Sequence, residues 1–266
     1  MKINIGTNIF GNDLKQTLGL QSQCKLKQLF PDNIGLYAFQ RYEDDLIPDT
    51  HQRKLLTRDS RDFVIGGKKS TPCVKDILDG LAETDCDYMV YTNSDIFFSD
   101  KFIKYILSGD YTGYACSRMD IHPVQSLTDK MIPYRYEIAG QDVFVMKKDW
   151  YIKKREVFKD YLIGSILYDT ALTCILKQHG QNDPIINDYP IQIAHIHHGW
   201  GSGNPSPEND YNRKLYDSED EQLKEPWGWY YHNILTKRSN AFSLFNLYPE
   251  EKQIEKDHFN KFLYHD

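Results

Sequence analysis

The chain has 266 residues, and its 38 acidic side chains outnumber its 32 basic ones, which gives a formal charge of −6 at pH 7. This balance argues against a protein whose main partner is nucleic acid, because phosphate binding draws on a concentrated footprint of Lys and Arg. Five widely spaced cysteines without a CxxC pair, and no long apolar run, lead us to expect a cytoplasmic protein, with peripheral attachment to a membrane left open.

Apolar runs of strand length alternate with amphipathic segments up to about residue 200, the pattern of β–α–β units around a mostly parallel sheet. The predicted strands cover residues 2–9, 34–40, 63–65, 88–92, 113–118 and 138–146. The predicted helices cover residues 13–29, 72–84, 100–107 and 162–176, and the last of these is expected to stop near His179-Gly180 with a left-handed glycine. Residues 200–225 are polar and predict a long loop, either a lid or a disordered insertion.

The strongest chemical signal is the segment DYMVYTNSDIFFSD, in which an apolar strand stops at Asn93-Ser94-Asp95 and a helix follows. Ligands of open α/β sheets bind at the carboxyl ends of strands. This context resembles the DxD motif of GT-A glycosyltransferases, with Asn in the first position. The resemblance implies that Asp95 binds a Mn²⁺ or Mg²⁺ ion on the diphosphate of a nucleotide-sugar donor, with Asn93 near the ribose and Ser94 beside the same donor. Carboxylate and phosphate oxygens are the ligands that such ions prefer.

Segments upstream of this turn follow the order seen in the large inverting GT-A family, and the resemblance covers residues 1 to about 200. Gly66-Gly67-Lys68-Lys69 precedes a helix and the Asn93 strand, which implies that Lys69, or Lys68 in its place, faces the donor. In this family the loop after the first strand holds the nucleotide base, which implies base contacts by Thr7, Asn8 and Phe10. Gln40 and Arg41, at the end of the second strand, are the alternative residues for these contacts.

Two carboxylates in the second half of the core are candidates for the reaction itself. Gln141 and Asp142 open an apolar strand that resembles the acceptor-side strand of GT-A enzymes, which implies contacts with the acceptor or the donor sugar. Asp169 lies in an otherwise apolar predicted helix, where an unpaired charge is costly. The resemblance implies that Asp169 is the general base that deprotonates the acceptor hydroxyl. Structural ion pairs are the alternative interpretation of both carboxylates.

The segment HIHHGW at residues 195–200 ends the last apolar run of the core. Strand alternation places His195 and His197 on one face and His198 on the other. The resemblance implies that His197 or His198 completes the metal site, and an imidazole ligand favours Mn²⁺ over Mg²⁺. Trp200 is expected to stack on the acceptor sugar. A histidine-rich turn that caps the sheet is the alternative.

The sequence thus predicts a GT-A-like α/β fold in a single domain, with a catalytic core at residues 1–200 and an extension at 201–266 that packs on it. The implied activity is metal-dependent, inverting transfer of a sugar from a nucleotide-diphosphate sugar to a carbohydrate or lipid-linked glycan, as in polysaccharide biosynthesis. Three alternatives stay open: a nucleotidyltransferase of the same fold, a metal-dependent hydrolase built on the histidine segment, and a non-catalytic sugar-binding relative.

Overall fold

The computed structural model describes residues 1–9, 14–41, 47–67, 70–109, 111–121, 133–180, 193–196 and 205–224. The strands are β1 Ile3–Asn8, β2 Ile34–Gln40, β3 Gln52–Leu55, β4 Tyr88–Asn93, β5 Ile96–Phe98, β6 Gly113–Ile121, β7 Pro133–Lys147 and β8 Ile193–Ile196. The helices are α1 Leu14–Leu29, α2 Ser60–Phe63, α3 Val74–Ala82, α4 Asp100–Ser108, α5 Lys148–Lys154, α6 Tyr168–His179 and α7 Pro207–Asp217. None of the helices in these ranges is both long and apolar enough to cross a bilayer.

The described strands form one mixed sheet in the order β3-β2-β1-β4-β7-β6-β8-β5. Strand β1 is parallel to β2 and β4, β2 is parallel to β3, and β6 is parallel to β8. Strand β7 lies antiparallel between β4 and β6, and β5 lies antiparallel beside β8. The prediction of an α/β fold with a mixed, mostly parallel sheet is therefore confirmed.

Both faces of the sheet are covered, because successive side chains of a strand point to opposite faces. Along β4, Met89 and Tyr91 belong to a core that includes apolar residues of α3, α5 and α6. Tyr88 and Val90 belong to a second core that includes residues of α1 and α4. Strands buried on both faces are near-continuous apolar runs, which is why β1, β2 and β4 were recognisable in the sequence.

The strand predicted at residues 63–65 is wrong. Residues 60–63 form α2 instead, because Asp59 accepts a hydrogen bond from the Arg61 backbone while the Asp62 side chain accepts one from the Asp59 backbone at 2.8 Å. This reciprocal capping satisfies backbone donors at the helix start. The strand at this side of the sheet is β3, whose polar sequence QRKL pairs with β2.

The helix predicted at residues 162–176 begins later than expected. It starts at Tyr168, and the residues before it form turns in which Gly164 and Leu167 have φ angles of 70° and 71°. The helix ends at His179, close to the predicted stop. The predicted left-handed glycine is wrong, because Gly180 has an extended conformation with φ of −81°.

The loop predicted at residues 200–225 is also wrong for its described part, which contains α7. The Ser206 hydroxyl accepts a hydrogen bond from the Asn209 backbone at 3.1 Å, and Pro207 occupies the first turn. Both features favour a helix start. Asn209 and Asn212 are buried, so this polar helix packs against the rest of the chain.

Candidate active site

Asn93-Ser94-Asp95 lies at the carboxyl end of β4, beside the end of β1, where Asn8 pairs with Asn93. Helix α1 contacts the turn closely, because a Cβ atom at Gly19 would lie 2.3 Å from the Ser94 carbonyl oxygen. The Ser94 hydroxyl donates to Oε1 of Gln16 at 3.0 Å, and Ser94 is fully buried. The side chain of Ser94 therefore binds α1. The contact with the nucleotide sugar that was predicted for Ser94 would have to be made by its backbone.

Asn93 is hydrogen-bonded through both atoms of its amide. Its Nδ2 donates to Oδ1 of Asp142 at 2.7 Å, and its Oδ1 accepts from the hydroxyls of Tyr91 at 3.2 Å and Tyr168 at 3.3 Å. Burial raises the pKa of both tyrosines well above its usual range, so both hydroxyls stay protonated and can donate. The amide of Asn93 is thus a link between β4, β7 and α6.

This network suits an amide side chain at position 93. A carboxylate at position 93 would place an oxygen against Oδ1 of Asp142, and two close carboxylates repel unless one of them is protonated. An amide supplies a hydrogen-bond donor there and adds no charge. Asn93 and Asp142 therefore form a complementary pair of amide and carboxylate.

Asp142 also accepts a hydrogen bond from the guanidinium of Arg118, on β6. The two side chains are 8% and 16% exposed, so the ion pair is largely withdrawn from water. The sequence prediction did not include Arg118, although a cation at the end of an apolar strand was a usable signal. The positive charge of Arg118 opposes the negative charges of Asp142 and Asp169.

Asp169 lies in the first turn of α6, close to Asp142. Burial is the main reason that the pKa of Asp169 rises to about 6, and the charge of Asp142 raises it further. The Thr170 backbone N–H, which donates to Oδ1 of Asp169 at 2.8 Å, and the charge of Arg118 oppose this rise. At neutral pH Asp169 is an ionised carboxylate of raised basicity, the property that a general base requires.

Asp95 contacts a histidine that the metal prediction did not select. Strand β8 pairs with β5 so that Ile96 lies opposite His195, and Nε2 of His195 is 3.1 Å from Oδ2 of Asp95. This distance is that of a hydrogen bond, and a carboxylate and an imidazole are also ligands of the kinds that Mn²⁺ accepts. Several predicted site residues lie outside the described part of the chain: Phe10, Lys68, Lys69, His197, His198 and Trp200.

Thr7 and Asn8 lie at the carboxyl end of β1, as expected, and both are buried. Nδ2 of Asn8 donates to the Phe39 carbonyl at 2.7 Å, and the Gln40 amide donates to the Ile9 carbonyl at 3.3 Å. These bonds join the ends of β1 and β2. The base contacts implied for Thr7 and Asn8 stay predictions.

Arg41 and Gln141 are each held by a neighbouring element. Nε of Arg41 lies 3.5 Å from a carboxylate oxygen of Asp59, which is 1% exposed. Oε1 of Gln141 accepts a hydrogen bond from the Thr173 hydroxyl, which ties β7 to α6. The contacts implied for Arg41 with the nucleotide sugar and for Gln141 with the acceptor stay predictions.

One group of three possible metal ligands occurs in the described ranges, Cys73, Asp76 and Asp160, and none of the three was among the predicted site residues. Arg58 donates to Asp76 and, at 3.0 Å, to Asp160. The negative charges of this group are therefore already paired with a cation.

No family model matches the chain, and no curated protein matches it. Solved structures do match. S. aureus TarS 1–349 in complex with UDP-GlcNAc superposes with a TM-score of 0.56 at 13% identity, covering 99% of this chain and 82% of that one. A longer S. aureus TarS structure gives 0.51 at 14% identity, with coverage of 96% and 48%. Drosophila β-1,4-galactosyltransferase 7 with manganese, UDP-Gal and xylobiose gives 0.48 at 9% identity, with coverage of 82% and 80%.

The likeness to the two TarS structures identifies the fold. The chain has a GT-A-like glycosyltransferase fold, as the sequence resemblance implied.

The replacement Asn93→Asp tests the link between β4 and β7. We expect the variant to lose about 1–3 kcal/mol of unfolding free energy at pH 7.5, because a buried donor is replaced by a second carboxylate. Urea denaturation measures the loss. The double variant Asn93→Asp/Asp142→Asn should lose less than the sum of the two single variants, since it again pairs one amide with one carboxylate. Additive losses would contradict the link.

The replacement Asp169→Asn tests the raised pKa of Asp169. A carboxyl group with a folded-state pKa of about 6 and an ordinary unfolded-state value favours the folded state at low pH. That contribution is complete below about pH 4 and is lost as the pH rises through 6, up to about 3 kcal/mol for a two-unit shift. The stability of the variant relative to wild type should therefore increase from pH 4 to pH 8 in urea denaturation. A difference that is constant across this range would show an ordinary pKa.

Proposed function

We propose that this chain is a glycosyltransferase that moves a sugar from a nucleotide-diphosphate sugar to an acceptor hydroxyl. One observation carries the proposal: the carboxyl end of β4 brings together a carboxylate paired with an imidazole, at Asp95 and His195, and a carboxylate of raised basicity, at Asp169. The GT-A-like fold supports it, because TarS, which has this fold, was solved with UDP-GlcNAc.

Asp95 and His195 are the residues that would hold a divalent cation, with His197 or His198 as a further ligand. Carboxylate, imidazole and phosphate oxygens suit Mn²⁺ better than Mg²⁺. A bound cation supplies positive charge that neutralises the departing nucleoside diphosphate. The residues proposed on the donor side are Thr7, Asn8, Phe10, Arg41, Lys69, Asn93 and Ser94.

Asp169 is the proposed general base, which accepts the proton of the acceptor hydroxyl as that oxygen attacks the anomeric carbon of the donor sugar. A base separate from the leaving group is consistent with inversion of configuration. Burial is the main reason that the pKa of Asp169 is raised, the like charge of Asp142 raises it further, and the Arg118 guanidinium opposes this rise. Gln141 and Trp200 are proposed to contact the acceptor, a carbohydrate or lipid-linked glycan.

The proposed roles of Asp95 and Asp169 can be tested separately, because Asp95 should act in donor binding and Asp169 in sugar transfer. With UDP-GlcNAc, UDP-Glc, UDP-Gal and GDP-mannose as donors, Mn²⁺ should raise the melting temperature of the wild type with at least one donor, because a ligand that binds the folded state stabilises it. Asp95→Ala should lose this Mn²⁺-dependent increase. Asp169→Asn should keep it but lose about 10²–10⁴-fold in turnover.

The exposed Asp149→Asn on α5 is the matched carboxylate control and should behave as wild type. Full turnover by Asp169→Asn would remove Asp169 from the base role, and Mn²⁺-dependent binding by Asp95→Ala would remove Asp95 from the cation site. Sugar released to water at the full rate, with no acceptor glycosylated, would identify a hydrolase instead.

The rate of transfer should also depend on pH. Because only the ionised carboxylate accepts a proton, kcat/KM should rise as the pH increases through about 6, the pKa of Asp169, and level off above pH 7. Initial rates in buffers of constant ionic strength from pH 4.5 to 8 measure the profile. A profile that is flat across pH 5–7 would contradict Asp169 as the base.

A further inference from the structure

The turn that leads into the proposed base has a backbone conformation that must be held in place. Leu167 has φ of 71°, the left-handed region, and it lies two residues before Asp169. For a residue with a Cβ atom this conformation costs about 1–2 kcal/mol. A strained residue of this kind persists only where its surroundings impose the conformation, and such residues cluster at functional sites.

Helix α7 binds the turn before Leu167 through two buried asparagines. Oδ1 of Asn212 accepts from the Leu162 backbone N–H at 2.9 Å, and its Nδ2 donates to the carbonyls of Leu162 at 2.9 Å and Ile166 at 3.0 Å. Oδ1 of Asn209 accepts from the Ile166 backbone N–H at 3.0 Å. Both polar backbone groups of Leu162 and of Ile166 are therefore bound by side chains of α7.

The same helix lies against the glycine-rich loop on the donor side. A Cβ atom at Gly67 would lie 3.2 Å from Oε1 of Glu208, which belongs to the first turn of α7. The rings of Phe63, at the end of α2, and Tyr211 of α7 have centroids 5.8 Å apart. Helix α7 thus contacts both the loop that precedes Lys68-Lys69 and the turn that precedes Asp169.

We propose that α7 is a positioning element of the transferase, in which Asn209 and Asn212 hold residues 162–167 so that Asp169 meets the acceptor hydroxyl. This inference rests on the proposed function. It assigns a positioning role to Asn209 and Asn212, which act through the turn and not on the reacting atoms. Side-chain amides suit the role, because they bind backbone N–H and C=O groups at fixed directions. Alanine at either position would leave buried backbone groups of the turn unpaired.

Asn209 allows a clean test, because its aspartate variant keeps the acceptor oxygen for the Ile166 N–H. Asp is also favourable in the first turn of a helix. We expect Asn209→Ala to lower kcat about tenfold to a hundredfold, a typical effect of misplacing a catalytic group, with the KM for UDP-GlcNAc unchanged within about twofold. Asn209→Asp should restore kcat.

Hydrogen–deuterium exchange of the full-length chain supplies a readout besides activity. The peptide that spans residues 162–170 should exchange faster in Asn209→Ala than in wild type or Asn209→Asp. The matched control is Asp210→Ala, which removes an exposed acidic residue from the same first turn without touching residues 162–167. It should leave kcat and the exchange of this peptide at wild-type values.

The outcomes distinguish this inference from the proposed function. Wild-type kcat and exchange in Asn209→Ala, with Asp169→Asn inactive, would overturn the positioning role alone. Turnover by Asp169→Asn would overturn the base assignment. An equal loss in Asn209→Ala and Asp210→Ala would show that general destabilisation of α7 is responsible, which also overturns the inference. Asn212→Ala serves as a second test wherever it folds, and the Asn209 pair decides where it does not.

Discussion

The hydrogen bond from Asn93 to Asp142 is the constraint on which the candidate site depends. It joins β4 to β7 one position beyond their last paired residues, Thr92 and Val143. Without it the two strand ends would be free to separate at the point where the sheet opens. With it, Asp142 is held where its charge acts on Asp169, and Arg118 is drawn to the other oxygen of the same carboxylate.

The parts of the fold that were predictable are those whose own residues carry the pattern. Strands β1, β2 and β4 are buried on both faces, so their apolar runs stand out from the flanking polar residues. Strand β3 has no such run, because it lies beside a single neighbour and its side chains are largely exposed. The short apolar run at residues 63–65 misled because the capping residues before it, Asp59 and Asp62, decide the local structure.

Helix α7 shows a different limit. Some of its contacts with the rest of the chain are made by asparagine side chains to the backbone of residues 162–166, and a polar sequence with such contacts looks the same as a polar loop. The partners of Asn209 and Asn212 are more than 40 residues away in the chain, so no local pattern announces them. The positive φ angle of Leu167 was not predictable for the same reason, because nothing in a leucine side chain favours that conformation.

The sequence predicted individual residues of the candidate site but not all the pairs that they form. Asn93, Asp95, Asp142 and Asp169 were predicted individually as site residues, and the structure brings Asn93, Asp142 and Asp169 into one network. The pairing of Asp95 with His195 was not predictable, because it depends on the register of β8 against β5. The role of Arg118 needed the same kind of information, the register of β6 against β7.

The close approach of α1 to the turn at Ser94 limits how this site can change. A side chain at Gly19 has no space, since its first carbon would overlap the carbonyl oxygen of Ser94. The spacing between α1 and the turn is therefore fixed by direct contact at Gly19 and Ser94. Any residue larger than glycine at position 19 therefore displaces either α1 or the turn that leads to Asp95.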